Sequence, residues 1–415
     1  MARARTERLA ASAPAAPGAT AAILRVLRHR QFGPYFAGNL LSNTGTWFQN
    51  IAQSLLVYRL TGSVFLVGLV NFAQFAGVLV FASWAGMAAD RFDRRRLIIA
   101  TQAGAVAITA ALATIAAAGR ATAAIVIALA LALGLTTAFA TPALKALVPT
   151  LVEREYVPAA VTMDSVTFNL ARVLGPILGV AVVAALGIPW AFALNSLSYL
   201  ALILALLIVR PITAEARRPQ RPRLRDSVAL VAADRRLLLL MLAIAACALS
   251  ADPVNTLGPA FATRVYHRPD TLLGYLVGAF GAGAVIGAFL SVRPSGTPFR
   301  RIAITLGLMT AGTVLFGLTS PLAIGLIALL AAGFGYLASQ TSATTLVQLT
   351  VEDAQRGRVM ALWSVAFLGM RPIASLLDGA LADLCGIRAA AVLMAAPVAL
   401  SMIAIAWLDV TGATI

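Results

Sequence analysis

Apolar residues fall in twelve long runs, separated by short polar or basic segments. The runs cover roughly 33–58, 64–89, 97–118, 122–147, 158–186 and 189–209, then 237–262, 271–292, 302–319, 322–347, 359–384 and 389–409. About 20 apolar residues cross a bilayer as a helix, so each run predicts one span. A barrel strand would instead alternate over about ten residues. The long internal polar segment, 210–236, divides the spans six and six. The predicted organisation is an N-terminal tail 1–32, a six-helix bundle 33–209, a linker 210–236, a second bundle 237–409 and a C-terminal tail 410–415. Two readings of 224–237 stay open: an amphipathic helix in the membrane interface, or an unstructured tether. Residues 1–20 are rich in Ala, Arg and Pro and read as disordered, with no apolar core that would make a signal peptide.

Composition narrows the class. The 415 residues are 60% hydrophobic and 12% charged, with mean hydropathy +0.89. A soluble chain averages about a quarter charged residues. The expected fold class is therefore an all-α polytopic membrane protein, partnered by the lipid bilayer.

A net charge of +16 suggests nucleic acid, but the placement of the charges argues against it. Of the 32 Lys and Arg residues, 25 sit on the side of the N-terminal tail and five on the other. That asymmetry fits the positive-inside rule and predicts a bacterial plasma membrane protein with both termini cytoplasmic. Cys247, Cys385, His29 and His267 make neither a disulfide framework nor a metal pattern. There is no G-x-x-x-x-G-K-[ST] loop, which argues against an ATP-driven pump unless a partner supplies the engine; no cofactor and no enzyme activity are expected.

Polarity inside the spans marks candidate chemistry. Asn39, Asn43, Thr46, Asn50 and Gln53 follow spacings of 4, 3, 4 and 3, which places them within about 80° of helical arc. Polar groups avoid lipid, so this face lines a substrate pathway or holds helices together by hydrogen bonds. Span seven carries Asp252 and Asn255 beside Pro253, which predicts a kink. Span ten carries Gln340. Asp164 and Arg172 lie within span five, and Arg371 and Asp378 within span eleven. A charge there costs about 2.5–3.5 kcal/mol on insertion scales, so each is expected to be paired or used. The partners within each span are about 10–12 Å apart along the axis, so partners on other spans are expected. Asp252 is the leading candidate for a proton-carrying acid. Its alternative is an ion pair with Arg172 or Arg371.

An internal repeat supports the division. At an offset of 199, Gly134 falls on Gly333, Val152-Glu153 on Val351-Glu352, Arg172 on Arg371, and Gly187-Ile188 on Gly386-Ile387. Two related halves about a central site is a common transporter plan.

The loop between spans two and three reads Gly86-Met-Ala-Ala-Asp-Arg-Phe-Asp-Arg-Arg-Arg96. Its spacing, G-x-x-x-D-R-x-x-R-R, resembles the signature loop of the major facilitator superfamily. Gly86, Asp90, Arg91, Arg94 and Arg95 match that pattern, while Asp93 stands where most members have Gly. In span five, Ala171-x-x-x-Gly175-Pro176-x-x-Gly179 is similar to that family's antiporter motif, with Ala first. Gly45-Thr-Trp-Phe-Gln-Asn-Ile-Ala-Gln53, Thr141-Pro142-Ala143 and Asn169-Leu-Ala-Arg172 resemble the enterobactin-exporter and multidrug-efflux branch. Span four lacks the Arg of many proton antiporters and has only Lys145 near its end.

The resemblance implies two pseudo-symmetric six-helix bundles rocking about a cavity lined by spans one, four, seven and ten. It implies a cytoplasmic gate in which the Asp90–Arg94 loop latches near Arg358. The expected function is proton-driven export of a small molecule (a siderophore, drug or metabolite) by a monomer. The alternatives are an importer on the same fold and a transporter-like protein that senses or assists assembly.

Overall fold

The computed structural model describes residues 19–212, 224–251, 253–290 and 297–411. Among these residues the regular structure is helical, with no strand. The first six spans are Phe32–Thr61, Val64–Arg91, Arg94–Ala117, Ala123–Leu147, Val157–Leu186 and Ile188–Ile208. Local chemistry sets their ends. Gly62 adopts φ 64° and its N–H closes the last turn of span one on the Tyr58 carbonyl. Ser63 then caps span two, accepting from the Leu66 N–H. Asp93, the departure from the signature loop, caps span three by accepting the Arg96 N–H at 2.7 Å.

The second half is less regular. Span seven was expected over 237–262 with a kink at Pro253. It is divided into Arg235–Ser250, Pro253–Thr256, Gly258–Ala260 and a π turn over Phe261–Val265. Pro253 and Pro259 each lack a donor for the helix ladder, which breaks it. Spans eight, nine and ten are Leu273–Leu290, Pro298–Leu318 and Leu322–Thr350. Span eleven is two helices, Asp353–Leu368 and Met370–Cys385, meeting at Gly369. Span twelve is Ile387–Leu393 and Ala396–Thr411, interrupted just before Pro397.

Eleven helical stretches among the described residues are long and apolar enough to cross a membrane. Span one is the twelfth. Its amides and hydroxyls hold its hydropathy below that of the others.

Both halves begin with a short helix before their first span. In the linker Leu224–Ala233 is helical rather than an unstructured tether, and residues 213–223 lie outside the described residues. Ala19–Arg28 was not anticipated, because the tail was read by composition. It seats Val26 in the core and stacks Arg25 over the Tyr156 ring at 5.1 Å.

The repeat is visible in the backbone. Gly187 and Gly386 end spans five and eleven at φ 91° and φ 88°. Gly134 lies so close to the Gln74 carbonyl of span two that a methyl group would collide. Its repeat mate Gly333 is pressed in the same way on the Phe280 carbonyl of span eight.

The core has an uneven plan. One buried cluster joins both halves at the end away from the Arg94–Arg96 loop, with Leu55, Val67, Phe261 and Leu273 among its members. At the arginine-rich face there are two separate clusters. One belongs wholly to the first half (Ile98, Leu147, Leu206) and one wholly to the second (Leu240, Ile302, Ile405).

Candidate functional site

A partly open cleft, with about 340 Å³ of empty space counting the solvent at its mouth, lies midway along the spans between the halves. Span one contributes Trp47, Asn50, Ile51 and Ser54, and span two contributes Asn71 and Phe75. Pro176 of span five, Asn255 of span seven and Arg371 of span eleven complete it. Arg371 is 8% exposed, with its guanidinium 5.0 Å from the Trp47 ring and 5.7 Å from that of Phe367. Its repeat mate Arg172 also reaches across the molecule, donating to the Tyr336 hydroxyl at 2.9 Å from 5.1 Å above that ring. The Ser54 hydroxyl donates to Asn71 Oδ1 at 3.3 Å, and Asn71 Nδ2 approaches Thr256 of span seven at 3.5 Å.

A second polar assembly lies in the first half, nearer the arginine-rich face. Asp164 takes an ion pair from Lys145 of span four at 2.5 Å. It also accepts from Tyr35 at 3.2 Å and Asn39 at 3.1 Å, and Asn43 Nδ2 donates to Asn39 Oδ1 at 2.9 Å. The Lys145 side chain is 59% exposed, against 7% for Asp164. The cation therefore lies at the protein surface while the carboxylate is held inside.

The polar face of span one thus divides among several neighbours. Asn39 and Asn43 join the Asp164 assembly, and Thr46 meets the Tyr199 hydroxyl of span six at 2.9 Å. Asn50 faces the cleft. Gln53 belongs to a buried ladder: Asn195 donates to Gln49 at 2.5 Å, Gln49 to Gln53 at 2.6 Å, and Gln53 to Gln74 at 3.2 Å. In span ten, Gln340 donates to the Ile244 carbonyl at 3.2 Å. Asp378 is wholly buried in span eleven, one residue before the close contact of Gly379 with span two. Asp252, the leading proton candidate, lies outside the described residues.

The Gly175-Pro176-Gly179 motif packs span five on the backbone of span one. A methyl on Gly175 would stand 2.9 Å from the Thr44 carbonyl oxygen, and one on Gly179 would stand 2.8 Å from that of Phe48. In the signature loop, Arg94 donates to the Ala146 carbonyl at 3.3 Å. Arg95 donates to the carbonyls of Leu206 at 2.5 Å and Leu207 at 2.8 Å. Both arginines hold the loop to the ends of spans four and six in their own half. Arg91 and Asp90 are exposed on the same surface, and Gly86 is half-buried on span two.

The opposite face is joined by directional contacts. Arg59 forms a two-pronged ion pair with Asp270 at 2.6 and 2.9 Å. Arg264 donates to the Gly62 carbonyl, and Tyr58 meets Thr263 at 2.7 Å. Below them, Gly68 lies against the Ser375 carbonyl and Gly379 against Phe65.

Sequence reasoning missed Tyr35, Gln49, Trp47, Asn71, Gln74, Phe75 and Asn195 as site or support residues. Asn71 and Gln74 carried a usable signal, two amides three apart in an otherwise apolar span.

Residues 21–412 match the family described as transmembrane secretion effector. The enterobactin exporter EntS of Citrobacter koseri is 28% identical over 354 residues, covering 81% of each chain. The staphyloferrin A transporter of Staphylococcus aureus is 24% identical, covering 85% of this chain and 90% of that one. Among solved structures, a bacterial homologue of the lysosomal transporter Spinster, inward-facing and unoccupied, aligns with TM-score 0.70 at 15% identity, covering 89% and 96%. A bacterial homologue of ferroportin in an inward-facing state aligns with TM-score 0.66 at 16% identity, covering 90% and 97%.

Proposed function

The chain belongs to the transmembrane secretion effector family of the major facilitator superfamily, and from that premise we propose that it exports a small organic molecule from bacteria by proton-driven alternating access. The observation that carries this reading is a mid-membrane cleft lined from both halves, beneath a core that unites them at one end only. Rocking of the halves about the cleft would open it to each side in turn.

We assign the arginine-rich face and both termini to the cytoplasm, because a 25-to-5 split of basic residues favours that orientation. The united end then faces outward, and the cleft loads from inside, as an exporter requires. Closure at the cytoplasmic face would bring the loop of Asp90, Arg91, Arg94 and Arg95 towards the start of span eleven near Arg358. The Gly175-Pro176-Gly179 contact with span one keeps one seam tight during that motion.

Asp164 joins Asp252 and Asp378 as a candidate proton carrier. Its Lys145 partner is 59% exposed, whereas Asp378 is wholly buried. Release of the lysine on protonation would free Tyr35 and Asn39 to rearrange. The substrate class follows from the relatives' names, which specify enterobactin and staphyloferrin A: a siderophore, or a drug or metabolite of similar polarity. The protein acts as a monomer in this reading.

The deciding experiment compares metabolites inside and outside cells that lack the gene with cells in which it is restored. A compound retained inside the deletion strain and missing from its medium is the expected result. A compound left unused in the medium would make the protein an importer. No difference under iron limitation or drug challenge would favour a sensing or assembly role.

A further inference from the structure

The cleft has a chemical polarity that the transport reading leaves unexplained. The charge on its described lining is positive and belongs to Arg371. Among the described residues, Arg371 takes part in none of the three ion pairs. Its guanidinium lies over two ring faces, Trp47 at 5.0 Å and Phe367 at 5.7 Å. Ring faces attract a cation without consuming its N–H groups. A guanidinium offers five such donors in a planar fork that matches an oxyanion.

An independent observation stands on the facing wall. Asn50 is 8% exposed and lines the same cleft, yet its Oδ1 is buried without a hydrogen-bond partner. A buried acceptor left unpaired is destabilising and rare in a folded protein. Ser54 and Asn71 are bonded to each other. The cleft therefore presents a cationic fork, one unmet acceptor and two aromatic surfaces, Trp47 and Phe75.

We propose that this cleft is an oxyanion site. Arg371 receives a carboxylate or comparable planar oxyanion of the transported molecule. Asn50 Oδ1 receives a hydroxyl or amide proton close to that group, and the apolar body lies against Trp47 and Phe75. The chemical class is organic acids with an adjacent hydrogen-bond donor, such as hydroxycarboxylates and N-acyl amino acids. The cleft is narrow and partly open, so it takes the acid end of a larger solute rather than the whole of it. Trp47 and Arg371 belong to opposite halves, so an anion bound there sits on the moving interface. The assignment rests on the export reading and names its substrate class.

The test uses the full-length protein in lipid nanodiscs and salicylate as probe. Salicylate sets a carboxylate beside a hydroxyl on a flat ring, and salicylamide is its neutral counterpart of equal size. Tryptophan fluorescence reads binding, and Trp47→Phe assigns the signal among the five tryptophans. Saturable quenching by salicylate is expected, at least tenfold tighter than by salicylamide. Arg371→Gln should abolish that preference, Arg371→Lys should retain part of it, and Asn50→Leu should weaken binding of both probes. Equal affinity for the two probes, no saturable quenching by salicylate, or full preference in folded Arg371→Gln would each overturn the site. Any of these, with export recovered when the gene is restored to the deletion strain, leaves the exporter standing. Selective salicylate binding with no metabolite difference in cells sinks the exporter instead and keeps the site.

Discussion

The two faces of this molecule are held together by different means. At one, Leu55 and Val67 of the first half share a continuous core with Phe261 and Leu273 of the second. At the other, Ile98 and Leu147 pack only within their own half, and Leu240 and Ile405 only within theirs. The arginines differ in the same way. Arg59 and Arg264 tie half to half, whereas Arg94 and Arg95 tie a loop to its own bundle. Apolar burial is non-directional and falls with the area lost, so separating the united face is costly. The split face can part or meet with little change in either core. A transporter that must open both ends in turn therefore begins here from a well-packed seam at one end and two self-sufficient bundles at the other.

The sharpest way to break the contrast is to overfill the seam. A methyl on Gly379 already meets the Phe65 Cα at 2.8 Å. Gly379→Leu should therefore lower export at least tenfold, with overpacking costing about 1–3 kcal/mol. It should also admit a bulky thiol reagent to a cysteine placed at Thr263. Wild-type export in the folded variant would show that the united face need not close.

Asp164→Asn tests the inner assembly. It keeps one side-chain oxygen to accept from Tyr35 and Asn39, and it removes the negative charge that faces Lys145. Stability should fall by about 1 kcal/mol or less, because the lysine is 59% exposed. Flux should instead lose its response to an imposed pH gradient, measured in inverted vesicles. An unchanged gradient response would remove Asp164 from proton coupling.

Arg95→Ala should destabilise the first half by about 1 kcal/mol, since two carbonyls at the end of span six lose their donor. Thermal unfolding would register this. Thiol access at the opposite face should not change, because Arg95 makes no bond to the second half among the described residues.

Arg59→Ala should have the smallest effect. Its ion pair is partly exposed, and such pairs contribute about 0.2–1 kcal/mol, which corresponds to less than about fivefold in thiol access at the united face. The difference should shrink further in high salt. An effect as large as that of Gly379→Leu would mean that ionic contacts, rather than apolar packing, hold this face.

The twelve spans were legible because a 20-residue apolar run has few other solutions in a chain of this composition. The breaks were less so. Pro253 predicted a kink, but the π turn after Pro259 depends on how the outer part of span seven packs. The repeat was readable from Arg172 and Arg371. Their different partners, a tyrosine hydroxyl and a pair of rings, were not.

The polar face of span one shows where sequence reasoning ends. Periodicity places five polar residues on one arc, yet which neighbour each meets is set by the surrounding helices. Gln53 met Gln74 and Gln49, while Asn50 met the cleft. Lys145 and Asp164 are 19 residues apart on different spans, a separation that carries no local signal.

The same polarity has a consequence for biogenesis. Span one emerges from the ribosome before span two, and it alone of the spans falls short of the hydropathy shared by the other eleven. Its partition into lipid by itself is the least favourable of the set. Span two, with mean hydropathy 2.2, follows after the tight turn at Gly62 and Ser63. The two would therefore enter the bilayer as a hairpin, with Ser54 and Gln53 already facing Asn71 and Gln74. The amides that later serve the cleft and its supporting ladder thus make the first helix dependent on the second from the moment of synthesis.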